Sequence, residues 1–227
     1  MTAFASMIDA PGRSGMVRTL AASLALVLTL GGCSLLGGGE REASTIFAPD
    51  PRVPAEPSWP QVDWQLSISP PQAARVIDSL RIAVRPSPDE LQVYKGARWA
   101  KTPTQQVEDT ILRTLEDSGR IPAVARQGSG VSADYKLVLD MRRYEADYAG
   151  RAVPAATIEV NAKLLHAPDQ VVVASRTFLQ SVPAGASDVA SVVQAFSDAL
   201  GRTGSEISGW VLATGEAHEA SGQHPVR

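Results

Sequence analysis

The sequence is poor in the residues that most catalytic and ligand-binding chemistry requires. Its 227 residues include one cysteine, three histidines and four each of Trp, Tyr and Phe. A single cysteine cannot close an intrachain disulfide, which excludes a disulfide-stapled secreted scaffold. Two of the three histidines lie in the last ten residues, so the chain cannot supply a Cys/His zinc site. The formal net charge of -3 carries no basic signature, and no nucleic-acid partner is expected.

Enzyme motifs are also missing from the sequence. It contains no G-x-S-x-G, no Walker A and no H-E-x-x-H motif. His166 is predicted at a hairpin turn, and no acid–base partner can be assigned to it. Glu145 and Asp147 share one face of a predicted strand, but a local pair on a charged face is more often solvated than a glycosidase dyad. We therefore predict a protein that is not an enzyme and holds no metal.

The N-terminus has the layout of a secretory signal peptide. Arg13 and Arg18 form a positive region, and an uncharged run of eleven residues follows from Leu20 to Leu30. At 1.5 Å per residue this run spans about 16 Å, well short of the roughly 30 Å hydrocarbon core of a bilayer. It is therefore predicted as the apolar part of a signal peptide over residues 1–32, not as a membrane-spanning helix.

The predicted signal peptide ends at a lipidation site. Leu30, Gly31 and Gly32 precede Cys33, and this run resembles a bacterial lipobox, whose cysteine receives diacylglycerol. Small residues let the chain extend into a peptidase, and only the thiol can take a thioether-linked lipid. The covalent lipid on Cys33 is then the membrane anchor, and no other cofactor is predicted. Because Ser34 replaces the Asp that favours inner-membrane retention, the predicted location is the outer membrane, facing the periplasm.

The mature chain is predicted to contain a tether, one domain and a tail. Residues 33–43 form the lipidated, flexible tether, and the ten residues after Cys33 have an r.m.s. span of about 16–19 Å. The domain is predicted over residues 44–213, and residues 214–227 are predicted as a disordered polar tail.

A proline-rich segment opens the domain, within residues 44–71. Its prolines stiffen the chain into an extended form that cannot be helical. They are Pro49, Pro51, Pro54, Pro57 and Pro60. Trp59 and Trp64 are predicted to latch this segment onto the domain, with a peptide-type contact as the alternative.

Residue patterns over the rest of the domain predict two helices. Thr102 and Gln105 form a capping-box pattern with Pro103 at the first helical position, and Gly119 is placed to end this helix. A second helix is predicted over residues 187–213. Glycines at 201, 204 and 209 inside it indicate either close packing or a break, with a hinge as a further alternative.

The remaining patterns predict strands. Apolar and polar residues alternate over 134–148 and 155–165, and a third strand follows over 170–180. Such alternation is typical of antiparallel strands with one buried and one wet face. An earlier strand is predicted over 80–85, followed by a hairpin or bent edge over 89–100 that turns at Lys95–Gly96. The predicted fold class is α+β, an antiparallel-rich sheet with two main helices packed on one face.

Seven short motifs occur in an order that resembles one lipoprotein family. They are T-I-F-A-P at Thr45–Pro49, L-x-V-Y-x-x-x-R-W-A at Leu91–Ala100, L-x-x-S-G-R at Leu115–Arg120, A-D-Y-x-L-x-L at Ala133–Leu139, R-Y-E at Arg143–Glu145, V-A-S-R-x-F at Val173–Phe178 and V-x-A-F-x-x-A-L at Val193–Leu200. The set spans roughly residues 44–212. It resembles the ABC-type transport auxiliary lipoprotein family, which includes the PqiC lipoproteins.

This resemblance implies a non-enzymatic auxiliary subunit in a lipid transport system. Its implied partners are an MCE-domain protein and an MlaE/MlaF-like ABC permease and ATPase, in lipid traffic between the inner and outer membranes. Association into a homo-oligomer is left open. The alternatives are an envelope lipoprotein that itself binds lipid, and a structural or assembly lipoprotein such as a component of lipopolysaccharide export.

Candidate contacts to a protein partner lie on two strands. Tyr94, Arg98 and Trp99 are of the residue types enriched at binding hot spots, because they bury a large area and keep a polar handle. For Trp99 the alternative is that it plugs the end of the core. Tyr144 and Tyr148 share one strand face, as either a second contact patch or sheet-surface packing.

Overall fold

The computed structural model describes residues 44–222, whose backbone forms nine strands and two helices. The strands are β1 (Thr45–Phe47), β2 (Gln65–Ile68), β3 (Gln72–Ala73), β4 (Arg81–Ser87), β5 (Glu90–Trp99), β6 (Ala123–Arg126), β7 (Tyr135–Asp147), β8 (Ala155–His166) and β9 (Val172–Pro183). The helices are α1 (Pro103–Ser118) and α2 (Val189–Ala220). The predictions for residues 1–43, which include the signal peptide, the lipobox and the tether, lie outside the described residues.

The three long strands β7, β8 and β9 form an antiparallel meander. β7 pairs with β8 from Tyr135↔His166 to Asp147↔Ala155, and β8 pairs with β9 along its whole length. Alternate residues at the start of β7 are buried, as the sequence alternation predicts, whereas β8, which is paired on both edges, is buried over most of its length and does not show the predicted alternation. A β-bulge between Met141 and Arg143 breaks that alternation once, so that Met141 and Tyr144 are both buried.

Along its other edge, β7 pairs with three strands in succession. β2 pairs with its beginning, β3 with its middle and β4 with its end, and all three run parallel to it. β6 extends the sheet beside β2, while β5 and then β1 extend it beside β4. The sheet is therefore mixed, and the predicted α+β class with two helices is confirmed. The parallel pairs escape sequence reasoning because each involves only two to four residues.

The hairpin over residues 80–100 differs from its prediction in the position of the turn. β4 and β5 pair directly through Ser87↔Glu90, so the turn lies at Pro88–Asp89 and not at Lys95–Gly96. Gly96 instead lies, with a φ of 64°, in an irregular stretch where the pairing jumps from Ala83↔Val93 to Arg81↔Arg98. The bent-edge alternative is therefore the correct one.

Helix α1 has the predicted ends. The backbone N–H of Thr102 donates to the Gln105 side chain at 3.1 Å, which completes one half of the capping box. Pro103 occupies the first turn, and Gly119 ends the helix in the left-handed conformation.

Helix α2 is longer than predicted. It begins after Asp188, whose side chain accepts the backbone N–H of Ser191, and it continues without a break to Ala220. The prediction of a disordered tail from residue 214 is therefore wrong as far as Ala220. The last turns of α2 contact the domain, because Gly215 packs on Trp64 and the Glu219 carboxylate accepts a hydrogen bond from Tyr135. Within residues 44–222, no helix combines the length and apolarity needed to cross a bilayer.

Candidate functional site

The proline-rich segment packs on α2, as the latch prediction requires. Trp59 and Trp64 are buried, and each ring covers a glycine of α2. A Cβ atom on Gly209 would lie 2.5 Å from Nε1 of Trp59, and one on Gly215 would overlap the ring of Trp64. The latch is therefore confirmed, and Trp64 adds a tilted contact with Tyr135 at a centroid distance of 4.8 Å.

Two of the five predicted partner contacts belong to the core. Trp99 and Tyr144 are each 1% exposed, and both rings contact Phe196 of α2, at centroid distances of 5.2 and 4.9 Å. The Tyr144 hydroxyl donates to Oε1 of the buried Gln106 at 2.8 Å. The prediction that Trp99 and Tyr144 contact a partner is wrong, and the packing alternatives are correct. Tyr144 is buried because the β-bulge turns it to the helix side of the sheet.

Tyr94 and Tyr148 lie together at the margin of the core. Both are half-buried, and the Tyr94 hydroxyl is buried beside Tyr148 and near Asp188 without a hydrogen bond of good geometry. Burial, with smaller contributions from Tyr148 and Asp188, raises the pKa of Tyr94 well above its usual range. The sequence assigned these tyrosines to separate patches, and the tertiary structure combines them into one.

The sheet face opposite the helices carries an ion-pair network. Arg85 of β4 donates through Nε and Nη2 to both oxygens of Glu145, at 2.8 and 2.9 Å. Arg143 donates to Glu145 at 2.7 Å and to Asp147 at 2.6 Å. The hydrogen bond to Glu145 is the main reason why the pKa of Arg85 rises above its ordinary value. Two guanidinium groups and two carboxylates thus neutralise each other, which favours a structural role and not a catalytic dyad.

Arg98, the remaining candidate, is exposed on this same face. Its direct cross-strand neighbour on β4 is Arg81, and its neighbour on β1 is Ile46. Sequence reasoning missed Arg81, although the alternation of L-R-I-A-V-R already placed its side chain on the wet face. The sequence does not reveal the register between β4 and β5, so it could not show that the two arginines are neighbours.

His166 lies in an aromatic and polar cluster where β7, β8 and the end of α2 meet. Its Nδ1 is 3.0 Å from Asp169, and its ring is 5.3 Å from that of His218 between centroids. The Tyr135 hydroxyl lies 2.8 Å from both Nδ1 of His218 and Oε1 of Glu219. These contacts hold the helix end against the sheet. Residues 44–222 contain no group of three His, Cys, Asp or Glu side chains that could hold a metal ion.

Two surface cavities adjoin the proline-rich segment, and both have charged walls. One of about 280 Å³ lies between the end of β1 and α1, and its lining includes Asp50, Lys101 and Arg113. Another of about 270 Å³ lies between the segment and α2, and its lining includes Arg176 and Glu206. Each cavity therefore combines charged side chains with apolar ones, such as Pro49 in the first and Trp210 in the second.

The chain also matches a known protein family. The family model described as the ABC-type transport auxiliary lipoprotein component matches residues 45–208. The chain belongs to this family. Among curated proteins, none matches it.

One solved structure supports this membership, and two others are more distant. A crystal structure of a protein from Xanthomonas campestris is 55% identical, with a TM-score of 0.75, covering 78% of this chain and 99% of that one. A second, of an uncharacterised protein, is 13% identical with a TM-score of 0.54, covering 70% of this chain and 97% of that one, and shows the fold alone. The PelC dodecamer from Paraburkholderia phytofirmans is 14% identical with a TM-score of 0.40, covering 68% and 93%, which is too slight a likeness to carry an argument.

Proposed function

We propose that this protein is a lipid-anchored, non-enzymatic auxiliary subunit of an MCE-type ABC lipid transport system. The observation that carries the proposal is family membership over residues 45–208, which is membership of an auxiliary lipoprotein family of ABC transport. The MCE-domain protein and the ABC permease and ATPase are the partners that the motif resemblance implies. The lipobox at Leu30–Cys33 supplies the membrane anchor in this proposal.

In this proposal the anchor, the tether and the domain have separate roles. The lipid on Cys33 holds the protein in the outer membrane, and residues 34–43 let the domain reach into the periplasm by about 16–19 Å. The domain, whose core is closed by the two latch tryptophans, presents a rigid surface to the partner. It positions a partner and performs no chemistry.

Tyr94 and Tyr148 are the best candidates for the partner contact. Together they offer two half-buried aromatic rings side by side at the margin of the core. The Tyr94 hydroxyl itself is buried, so a partner would contact the exposed parts of the two rings. Aromatic side chains with one polar end are typical anchors at the centre of protein interfaces.

The partner assignment is tested by affinity purification of the full, lipidated chain from detergent extracts of its own host. Recovery of an MCE-domain protein together with a permease and an ATPase is the expected result. The variant Tyr94→Ala is expected to weaken recovery, while Gln92→Ala, an exposed change on the same strand, serves as the matched control. Recovery of co-purified phospholipid with no transport subunit would favour the lipid-binding alternative.

The lipid anchor is tested at Cys33 itself. Cys33→Ser removes the only thiol of the chain. The variant is therefore expected to incorporate no labelled palmitate and to be absent from the membrane fraction. Ser34→Ala is the matched control, because it changes the neighbouring residue and keeps the thiol. Incorporation of palmitate into Cys33→Ser would contradict the lipobox.

A further inference from the structure

Two arginines of the outer sheet face are placed directly opposite each other. Arg81 of β4 and Arg98 of β5 are register partners in the antiparallel pair, and both are exposed. Like charges in this position repel each other and destabilise a sheet. Among the residues that the structure describes, neither guanidinium has a carboxylate within 4.0 Å.

Two neighbouring arginines on the same face are, by contrast, paired with a carboxylate of the domain itself. Arg85 follows Arg81 on β4, and Arg143 lies on β7, and each is bound to Glu145 at less than 3 Å. The network around Glu145 is neutral, so it contributes nothing to satisfy the other pair. Arg81 and Arg98 therefore remain as two adjacent positive charges on this face that the network does not neutralise.

An exposed apolar side chain completes this surface. Ile46 of β1 is the register partner of Arg98, and it is 54% exposed. Ile46, Arg98 and Arg81 thus form one row across three strands, which we name the Arg81–Arg98 row. An apolar residue beside unpaired cations is the chemistry of a surface that meets the headgroup region of a membrane.

The position of the row in the chain points to the same partner. β1 begins at Thr45, only twelve residues after Cys33, so the row is tied closely to the predicted anchor. As the flexible tether that the sequence predicts, the ten residues 34–43 would span about 16–19 Å, a distance that leaves the row within reach of the bilayer surface. A surface attached by so short a tether meets headgroups at high effective concentration.

We propose that the Arg81–Arg98 row binds anionic phospholipid headgroups of the membrane that holds the anchor, and so sets the orientation of the domain. This inference rests on the lipid anchor proposed above. Phosphate oxygens between the two guanidinium groups would replace their repulsion with charge-assisted hydrogen bonds. Each arginine near an anionic surface shifts the equilibrium by about five-fold, so the pair is expected to contribute about 25-fold.

The test is a measurement of how close the row lies to the bilayer. The full chain carrying Ile46→Cys is purified with the lipid on Cys33, so that residue 46 holds the only free thiol, and is labelled with an environment-sensitive dye. It is then reconstituted in vesicles of phosphatidylcholine alone or with about 30% phosphatidylglycerol, an anionic lipid. A blue shift on the anionic vesicles only, reversed when the salt is raised to about 0.5 M, is the expected result.

Charge variants make the test specific. Arg81→Ser with Arg98→Ser is expected to abolish the blue shift, and circular dichroism verifies that the fold is kept. Arg75→Ser with Arg202→Ser, two exposed changes in the turn after β3 and on α2 that alter the net charge equally, is expected to retain it. Equal spectra on neutral and anionic vesicles, or equal shifts in the two double variants, would overturn the inference. Failure of the anchor has a different signature, because the protein would then leave both kinds of vesicle.

Discussion

Trp99 shows how neighbouring residues of one strand acquire different roles. Its side chain lies between Tyr144 and Phe196, with ring centroids 6.0 and 5.2 Å away, while Arg98 beside it points to solvent. The residue types alone marked both as possible hot spots. Burial separates them, because a side chain enclosed by the core cannot reach a partner without unfolding.

Replacement of Trp99 tests this assignment. Trp99→Ala is expected to lower the free energy of unfolding by about 3–5 kcal/mol, since it opens a cavity in a packed aromatic cluster. Urea denaturation followed by circular dichroism measures the change. Arg98→Ala is the control, with an expected change within about 0.5 kcal/mol. A stable Trp99→Ala protein that fails to bind its partner would restore Trp99 to the interface.

Glu145 is a residue for which the sequence left two possible roles open. The R-Y-E motif and the nearby Asp147 suggested either a solvated charged face or a catalytic pair. The structure buries Glu145 to 1% exposure and gives it two arginine partners. One partner, Arg85, comes from a strand sixty residues earlier, which no local pattern could indicate.

At the scale of elements, α2 depends on glycines that would ordinarily weaken a helix. Glycine inside a helix costs about 0.5–1 kcal/mol relative to alanine. Here three of them allow close approach, with Gly204 facing Thr110 of α1 and Gly209 and Gly215 facing the latch tryptophans. The sequence left close packing and a break as alternatives, and the packing explanation is correct.

Replacement of these glycines by alanine is therefore expected to destabilise the protein, the opposite of its usual effect inside a helix. Gly215→Ala and Gly209→Ala are expected to lower stability by about 1–3 kcal/mol, because the added methyl groups displace Trp64 and Trp59. Thermal melts and tryptophan fluorescence measure the stability and the undocking. Gly185→Ala, where a Cβ meets nothing within 4 Å, is the matched control and is expected to be neutral or slightly stabilising. A stabilised Gly215→Ala would mean that Trp64 does not hold the proline-rich segment against α2.

The N-terminus of α2 gives a prediction that depends on pH. Asp188 accepts from the Ser191 backbone and hydroxyl at 3.0 and 2.6 Å, and hydrogen bonding to Ser191 is the main reason why its pKa lies below the ordinary value. A lowered pKa means that this stabilisation is present above the unfolded-state pKa of about 3.9 and is lost as the pH falls through the folded-state value.

Asp188→Ala is therefore expected to be less stable than the wild type at neutral pH, with the difference shrinking below about pH 4. Urea midpoints measured across the acid range give this profile. Asp188→Asn keeps a capping oxygen at every pH, so it serves as the control that separates the cap from the charge. A difference for Asp188→Ala that stays constant with pH would contradict the carboxylate cap.

At the scale of the whole molecule, both ends of the domain close on the same helix. The proline-rich segment packs along α2 through Trp59 and Trp64, and the last turn of α2 returns to Tyr135 at the start of β7. The residues that the sequence assigned to a disordered tail thus support the sheet. Polar composition suggested disorder there, but the polar atoms of His218 and Glu219 have partners in the fold.

Truncation distinguishes these two views of the C-terminus. Deletion of residues 214–227 is expected to destabilise the domain by at least about 1–3 kcal/mol, since it leaves the buried Tyr135 hydroxyl without its partners and uncovers Trp64. Deletion of residues 223–227 is the control and keeps α2 complete. Urea denaturation measures both. Equal stability of the two truncated proteins would instead support the prediction of a disordered tail from residue 214.

The sequence by itself determined the class of the fold, the ends of α1, the antiparallel meander and the latch tryptophans, because each depends on local periodicity, capping or composition. Family membership was likewise accessible from the order of short motifs. Only the tertiary structure decided which candidate residues are exposed, that α2 continues to Ala220, and that Arg81 lies opposite Arg98. These features depend on register, on a β-bulge and on contacts between residues far apart in the chain, and no local pattern encodes the distance between two such residues.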